Sequence, residues 1–135
     1  MLISFNPSMT TKVTDGIKIS VITEYQPLHS NPGQEYFLFS YRIRIENNSE
    51  DTVSLVSRKW YITDSGGEGR VVEGEGVIGV QPVIEPGEYY EYESACNFRT
   101  EIGKMHGYYT MMRDDGQKVL INIPEFRMIV PYKLN

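Results

Sequence analysis

The residues whose types and spacing come closest to a chemical motif lie at 74–79, where Gly74-Glu-Gly76-Val-Ile-Gly79 satisfies G-x-G-x-x-G. Glycines at these intervals let backbone N–H groups approach phosphate oxygens, because no Cβ holds the anion off. The context is not that of a dinucleotide fold. Such a fold needs a helix after the glycines, its N-terminus aimed at the pyrophosphate, whereas here Val80-Gln-Pro82 follows and Pro86-Gly87 soon breaks the chain again. Two readings stay open. In one, Gly74, Gly76 and Gly79 serve backbone geometry where a loop crosses tightly between two sheets. In the other they cradle a small anion, pyrophosphate or a nucleotide polyphosphate, with Arg58 and Arg70 supplying the positive charge that Glu73 and Glu75 oppose.

Other reactive side chains give weaker patterns. Cys96 and His106 are a conceivable thiol–imidazole pair, but Cys96 alternates with glutamates on the face shared by Tyr90, Tyr92 and Phe98, where a buried, inert thiol is expected. Glu85, Glu88, Glu91 and Glu93 can attract Mg²⁺, yet carboxylates at alternate positions read more simply as a solvated strand face. One cysteine and two histidines leave no disulfide framework and no zinc set. No catalytic residue, metal ligand or cofactor is therefore expected. Asn47-Asn-Ser49 matches a glycosylation sequon, but its composition is that of a turn.

Thirteen Lys+Arg against eighteen Asp+Glu give a formal charge of -5, with no basic stripe for nucleic acid. The chain has 135 residues, 40% of them apolar and 23% charged, the composition of one soluble globular domain spanning 1–135. No apolar run reaches the ~18–20 residues of a membrane helix, and the first residues lack the pattern of a secretion signal. A cytoplasmic location is expected.

The elements that must position these residues are strands. In 17–26 the residues Ile17, Ile19, Val21, Thr23 and Tyr25 share one face, and in 35–46 Phe37, Phe39, Tyr41, Ile43 and Ile45 do so opposite Leu38, Ser40, Arg42 and Arg44. Such alternation belongs to antiparallel sheets with one wet face. Thr52–Thr63 changes its apolar face between Leu55 and Trp60, predicting a bulge near Ser57–Lys59 where the strand passes from one sheet to the other. Trp60 is expected in the core. Further strands are read at 70–73, 89–98, 104–113 and 118–130, the last interrupted by Pro124, with turns at 30–34, 47–51, 64–67, 86–87 and 114–117. The pattern predicts an all-β antiparallel sandwich of about seven to eight strands, immunoglobulin-like or fibronectin type III-like.

Several spaced motifs extend this reading. Phe39-Ser-Tyr41 with Ile45-Glu-Asn47, Ser57-Arg-Lys-Trp60 with Ile62-Thr-Asp64, Val72 through Gly79 with Gln81-Pro82, and Pro86-Gly87 with Tyr90-Glu-Tyr92 together resemble the ApaG family. Ser94, Thr100, Gly103, Met105, Gly107, Tyr109 and Met111 continue the likeness, which covers roughly residues 13–130. The resemblance implies a fibronectin type III-like sandwich, found as a free-standing bacterial protein and as a module of F-box proteins and of a polymerase-delta-interacting protein. It therefore implies a non-enzymatic module that binds another protein. It also implies a link to cobalt tolerance and magnesium efflux, and a gene neighbourhood with a diadenosine tetraphosphate hydrolase. The family often has histidine where this chain has Lys59, so the resemblance carries over no role resting on that imidazole, such as metal contact.

Overall fold

The computed structural model describes residues 9–134, and its strands follow the period-two pattern. They are β1 (Met9–Thr14), β2 (Ile17–Tyr25), β3 (Phe37–Asn47), β4 (Val53–Asp64), β5 (Gly69–Glu75), β6 (Val83–Ile84), β7 (Tyr89–Phe98), β8 (Ile102–Arg113) and β9 (Lys118–Ile129). One antiparallel sheet has the order β1-β2-β3-β7, and the other β5-β4-β8-β9 with β6 also on β4. Two sheets packed face to face make the sandwich that alternation predicted. β1 and the two-residue β6 take the described strands to nine, beyond the expected seven to eight.

The inward residues form one cluster in which Phe39, Ile43, Ile45, Leu55, Trp60, Tyr109, Met111, Ile121 and Phe126 are all at most 2% exposed. Trp60 anchors it, packing edge-on against Tyr41, Tyr109 and Phe126 at ring-centroid distances of 5.7, 6.4 and 5.8 Å. Asn47 is also fully buried. Its side-chain amide donates to the carbonyls of Asp51 (2.8 Å) and Ile84 (2.9 Å), and its side-chain oxygen accepts from the Ser49 amide. The sequon is thus a turn held by a satisfied buried amide.

Two expectations about connections need correcting. The irregularity in β4 falls between Leu55 and Ser57, leaving Val56 as the extra residue, and β4 stays paired with β8 from Val53 to Asp64. The bulge resets the alternation within one sheet, so that Val53 and Leu55 before it and Trp60 and Ile62 after it all point inward. The glycine stretch likewise does not cross between sheets. It leads from β5 to β6, which both pair with β4. Residues 85–88, with Gly87 at φ +82°, make the crossing to β7 instead.

Strand order makes the two flanks of the sandwich unequal. On one flank β9 packs against both β1 and β2. On the other, β5 and β7 are the facing edges of different sheets and have no comparable packing.

Candidate functional site

The open flank holds most of the residues singled out in the sequence. After the bulge, Arg58 lies on the inner side of β4 opposite Tyr109. Its Nη1 donates to the backbone carbonyls of Gly76 (2.8 Å) and Glu75 (3.1 Å). Gly74 makes room for this, since a Cβ there would stand 2.8 Å from Nη1 and 2.9 Å from Nη2. Gly76 is left-handed at φ +57°, and its amide donates to the Val56 carbonyl at 2.8 Å. Gln81 Nε2 donates to the same carbonyl at 2.9 Å, while the Val77 and Val80 backbones bond each other at 2.8 and 3.0 Å. The bulge thus turns out a carbonyl that fastens the glycine loop. Gly79, at φ +74°, faces open space.

Arg70 spans the flank. From β5, Nη2 donates to the Asn97 carbonyl (2.9 Å) and to Cys96 Sγ (3.0 Å) on β7. Burial pushes the Cys96 thiol up, an effect that the nearby Arg70 guanidinium partly offsets. Between the sheets the hydroxyls of Tyr92 and Tyr109 bond each other. Burial raises both phenols and Tyr41 as well, with the Ser94 hydroxyl partly offsetting the rise at Tyr41. These groups stay protonated at neutral pH, which suits packing and hydrogen bonding rather than proton abstraction or nucleophilic attack.

The remaining candidates are dispersed. His106 is exposed on the outer face of β8, stacked on Tyr61 at 5.0 Å and 13°, and does not meet the inward-facing Cys96. The acidic run is split by its partners: Glu91 pairs with Arg44 (2.9 Å), Glu93 with Arg42 (3.4 Å), and the Glu88 carboxylate accepts the Glu85 amide. Among the described residues no three His, Cys, Asp or Glu side chains are placed to hold a metal ion. Lys59 lies on the outer face of β4, where Glu73 at 2.9 Å, and then Tyr61, hold its ammonium group above the usual lysine range. A cleft of about 410 Å³ at the end of the sandwich is lined by Pro32, Glu35, Phe37, Arg99 and Thr100 among others, none of them a residue predicted for the site.

Similarity to known proteins agrees with this architecture. The sequence profile of the ApaG domain matches residues 27–113. This chain belongs to the ApaG family. The ApaG protein of Anaeromyxobacter dehalogenans is 48% identical over 127 residues, covering 94% of this chain and 100% of that one. That of Brucella canis is 43% identical over 123 residues, covering 91% and 95%. A solved ApaA protein from Bordetella pertussis superposes with a TM-score of 0.83 at 37% identity, over 85% of this chain and 94% of that one. Against this ApaG background, two features of the open flank escaped the sequence reading. One is a row of exposed apolar residues along the β5–β6 edge, visible in the sequence only as valines in a glycine-rich stretch. The other is the outer edge of β7, unpaired among the described residues, which no local signal marks because it depends on strand order.

Proposed function

We propose that this ApaG-family domain is a non-enzymatic binding module whose ligand is another protein. The observation that carries the proposal is the apolar surface on the β5–β6 edge. Val71, Ile78, Val80 and Val83 are 56%, 61%, 47% and 62% exposed, and all lie on or between two strands that pair with β4. Val71 and Val83 point to the outer face of the same sheet, since Val83 alternates with the buried Ile84 and Val71 pairs with the outward Tyr61. Apolar side chains gathered along one edge favour association with a protein surface over solvation. The phenols and the thiol at the centre of the flank are held in their unreactive forms, in keeping with a non-enzymatic role. In this reading a link to divalent-cation tolerance runs through the partner, and the setting is the cytoplasm. The anion-sensing alternative draws less support, because Arg58 and Arg70 direct their guanidinium groups to the protein's own carbonyls.

Affinity capture from the native cell extract tests the proposal, comparing the wild type with a Val71→Asp/Ile78→Asp variant. Ile78 sits at φ +47°, a conformation that Asp tolerates better than Ile, so the variant should fold. A protein captured at least tenfold less by the variant is expected. Undiminished capture, or turnover of a phosphoanhydride by purified wild type that a single substitution abolishes, would count against the reading.

A further inference from the structure

The edges of the two sheets are finished differently. β9 carries Pro124 and a shift of register opposite His106, and it packs against β1. Proline and bulges blunt an edge against unwanted pairing. β7 has neither, keeping an unbroken register with β3 over ten residues, and among the described residues no strand pairs with its other side. The bonds at its two ends tell which rungs are free. The Asn47 amide donates to the Glu88 carbonyl at 3.0 Å, so even-numbered residues face β3. The Asn97 carbonyl instead accepts from Arg70, so odd-numbered residues face the open flank. The N–H and C=O groups of Glu91, Glu93 and Ala95 therefore point away from the sheet, on residues that are exposed.

We propose that β7 is a strand-addition site, where an extended segment of the partner protein pairs with Glu91, Glu93 and Ala95 and alternates basic with small apolar side chains. The proposal rests on the protein-binding reading and names the chemistry of the partner. On the outer face, Glu91 and Glu93 have Arg44 and Arg42 on their β3 side, and Lys or Arg on an added strand supplies the other side. On the inner face, an added strand meets half-buried Tyr92 and Ser94 from β7 and Val72, 38% exposed, from β5. Valine-sized side chains suit that position. A second copy of this chain does not: antiparallel pairing centred on Glu93 sets that carboxylate against its own copy, and the adjacent register sets Glu91 against Glu93.

The test titrates ¹⁵N-labelled protein with the capped heptapeptide Lys-Val-Lys-Val-Lys-Val-Lys and follows amide exchange. Exchange at Glu91, Glu93 and Ala95 should slow at least tenfold at saturation, and the counterpart with Glu for Lys should bind at least tenfold more weakly. Ala95→Pro removes a free-edge N–H and no bond to β3, and should weaken binding at least tenfold. Should that variant not fold, Glu91→Lys/Glu93→Lys must produce the same loss. Protection confined to Val71 and Glu73 of β5, no protection, or equal affinity in the β7 variants would overturn strand addition. The two readings separate in the capture experiment. A partner lost with Val71→Asp/Ile78→Asp but kept with Glu91→Lys/Glu93→Lys overturns strand addition and leaves protein binding standing, whereas a partner lost with neither overturns both.

Discussion

Arg58 shows how a cation beside glycines can serve the fold. Its guanidinium occupies the space that the missing Gly74 side chain leaves, and it binds the carbonyls of Glu75 and Gly76. Gly76 and Gly79 both have positive φ, yet their surroundings are opposite. A Cβ on Gly76 would lie 2.0 Å from the Val80 carbonyl oxygen, and one on Gly79 would meet nothing within 4 Å. Gly79→Ala should therefore cost about 1 kcal/mol, the ordinary penalty of the left-handed region. Gly76→Ala should cost more than about 2 kcal/mol, because the Val77–Val80 turn must open as well. Urea denaturation checks the difference, and equal small losses would show that the loop is not tied to β4.

The β4–β8 pair shows what alternation can and cannot reveal. Gly107 lies opposite Trp60, and a Cβ there would come within 1.9 Å of the Lys59 carbonyl oxygen. Gly107→Ala should push the strands apart and lower stability by on the order of 3 kcal/mol, read from thermal unfolding. The inward set of β3 was legible because every second residue is large and apolar, and Trp60 was legible as a core anchor. β1 was not: in Met-Thr-Thr-Lys-Val-Thr the apolar Met9 and Val13 are exposed, Thr10, Lys12 and Thr14 share the side of the inward β2 residues, and β1 exists because β2 offers it an edge. The place of the β4 bulge was read one to three residues late, since the partner strand fixes a bulge and the sequence shows only the change of face. In the candidate site, Arg58 lies against Gly74 and Gly76, whereas Arg70 reaches across to Cys96 and Asn97 on β7. The direction in which the guanidinium groups donate needed the fold.

At the scale of the whole molecule, the closed flank is held by packed strands and the open flank by side chains reaching across. The Tyr92–Tyr109 hydroxyl pair and Arg70 are two of these links. The alkaline limit of stability follows from the first. Burial raises both phenols above their unfolded value of about 10, so the folded state favours the neutral form and the unfolded state loses its proton first. The contribution is complete below about pH 10 and declines as pH climbs toward the folded values, by roughly 1.4 kcal/mol per pH unit for each phenol that ionises only on unfolding. On the phenols' account the melting temperature should change little between pH 7 and about pH 9 and fall steeply beyond about pH 10, while the raised Cys96 thiol adds its own decline once pH passes the unfolded thiol value of about 8.5. A Tyr92→Phe/Tyr109→Phe variant, which removes both partners of the bond, should start about as stable and decline less steeply. A parallel decline in both proteins would place the alkaline sensitivity elsewhere.

The Val56 bulge bears on how the chain can change in length. Losing one residue from a strand ordinarily inverts everything beyond it, exchanging core for solvent. Removal of Val56 would be an exception, because Leu55 pairs with Met111 and Ser57 with Thr110, already consecutive on β8. The shortened strand would present the same inward residues in plain alternation, and only the carbonyl that holds Gly76 and Gln81 would disappear. One codon thus separates a sandwich with a fastened loop from one with the same core and a loop free to diverge.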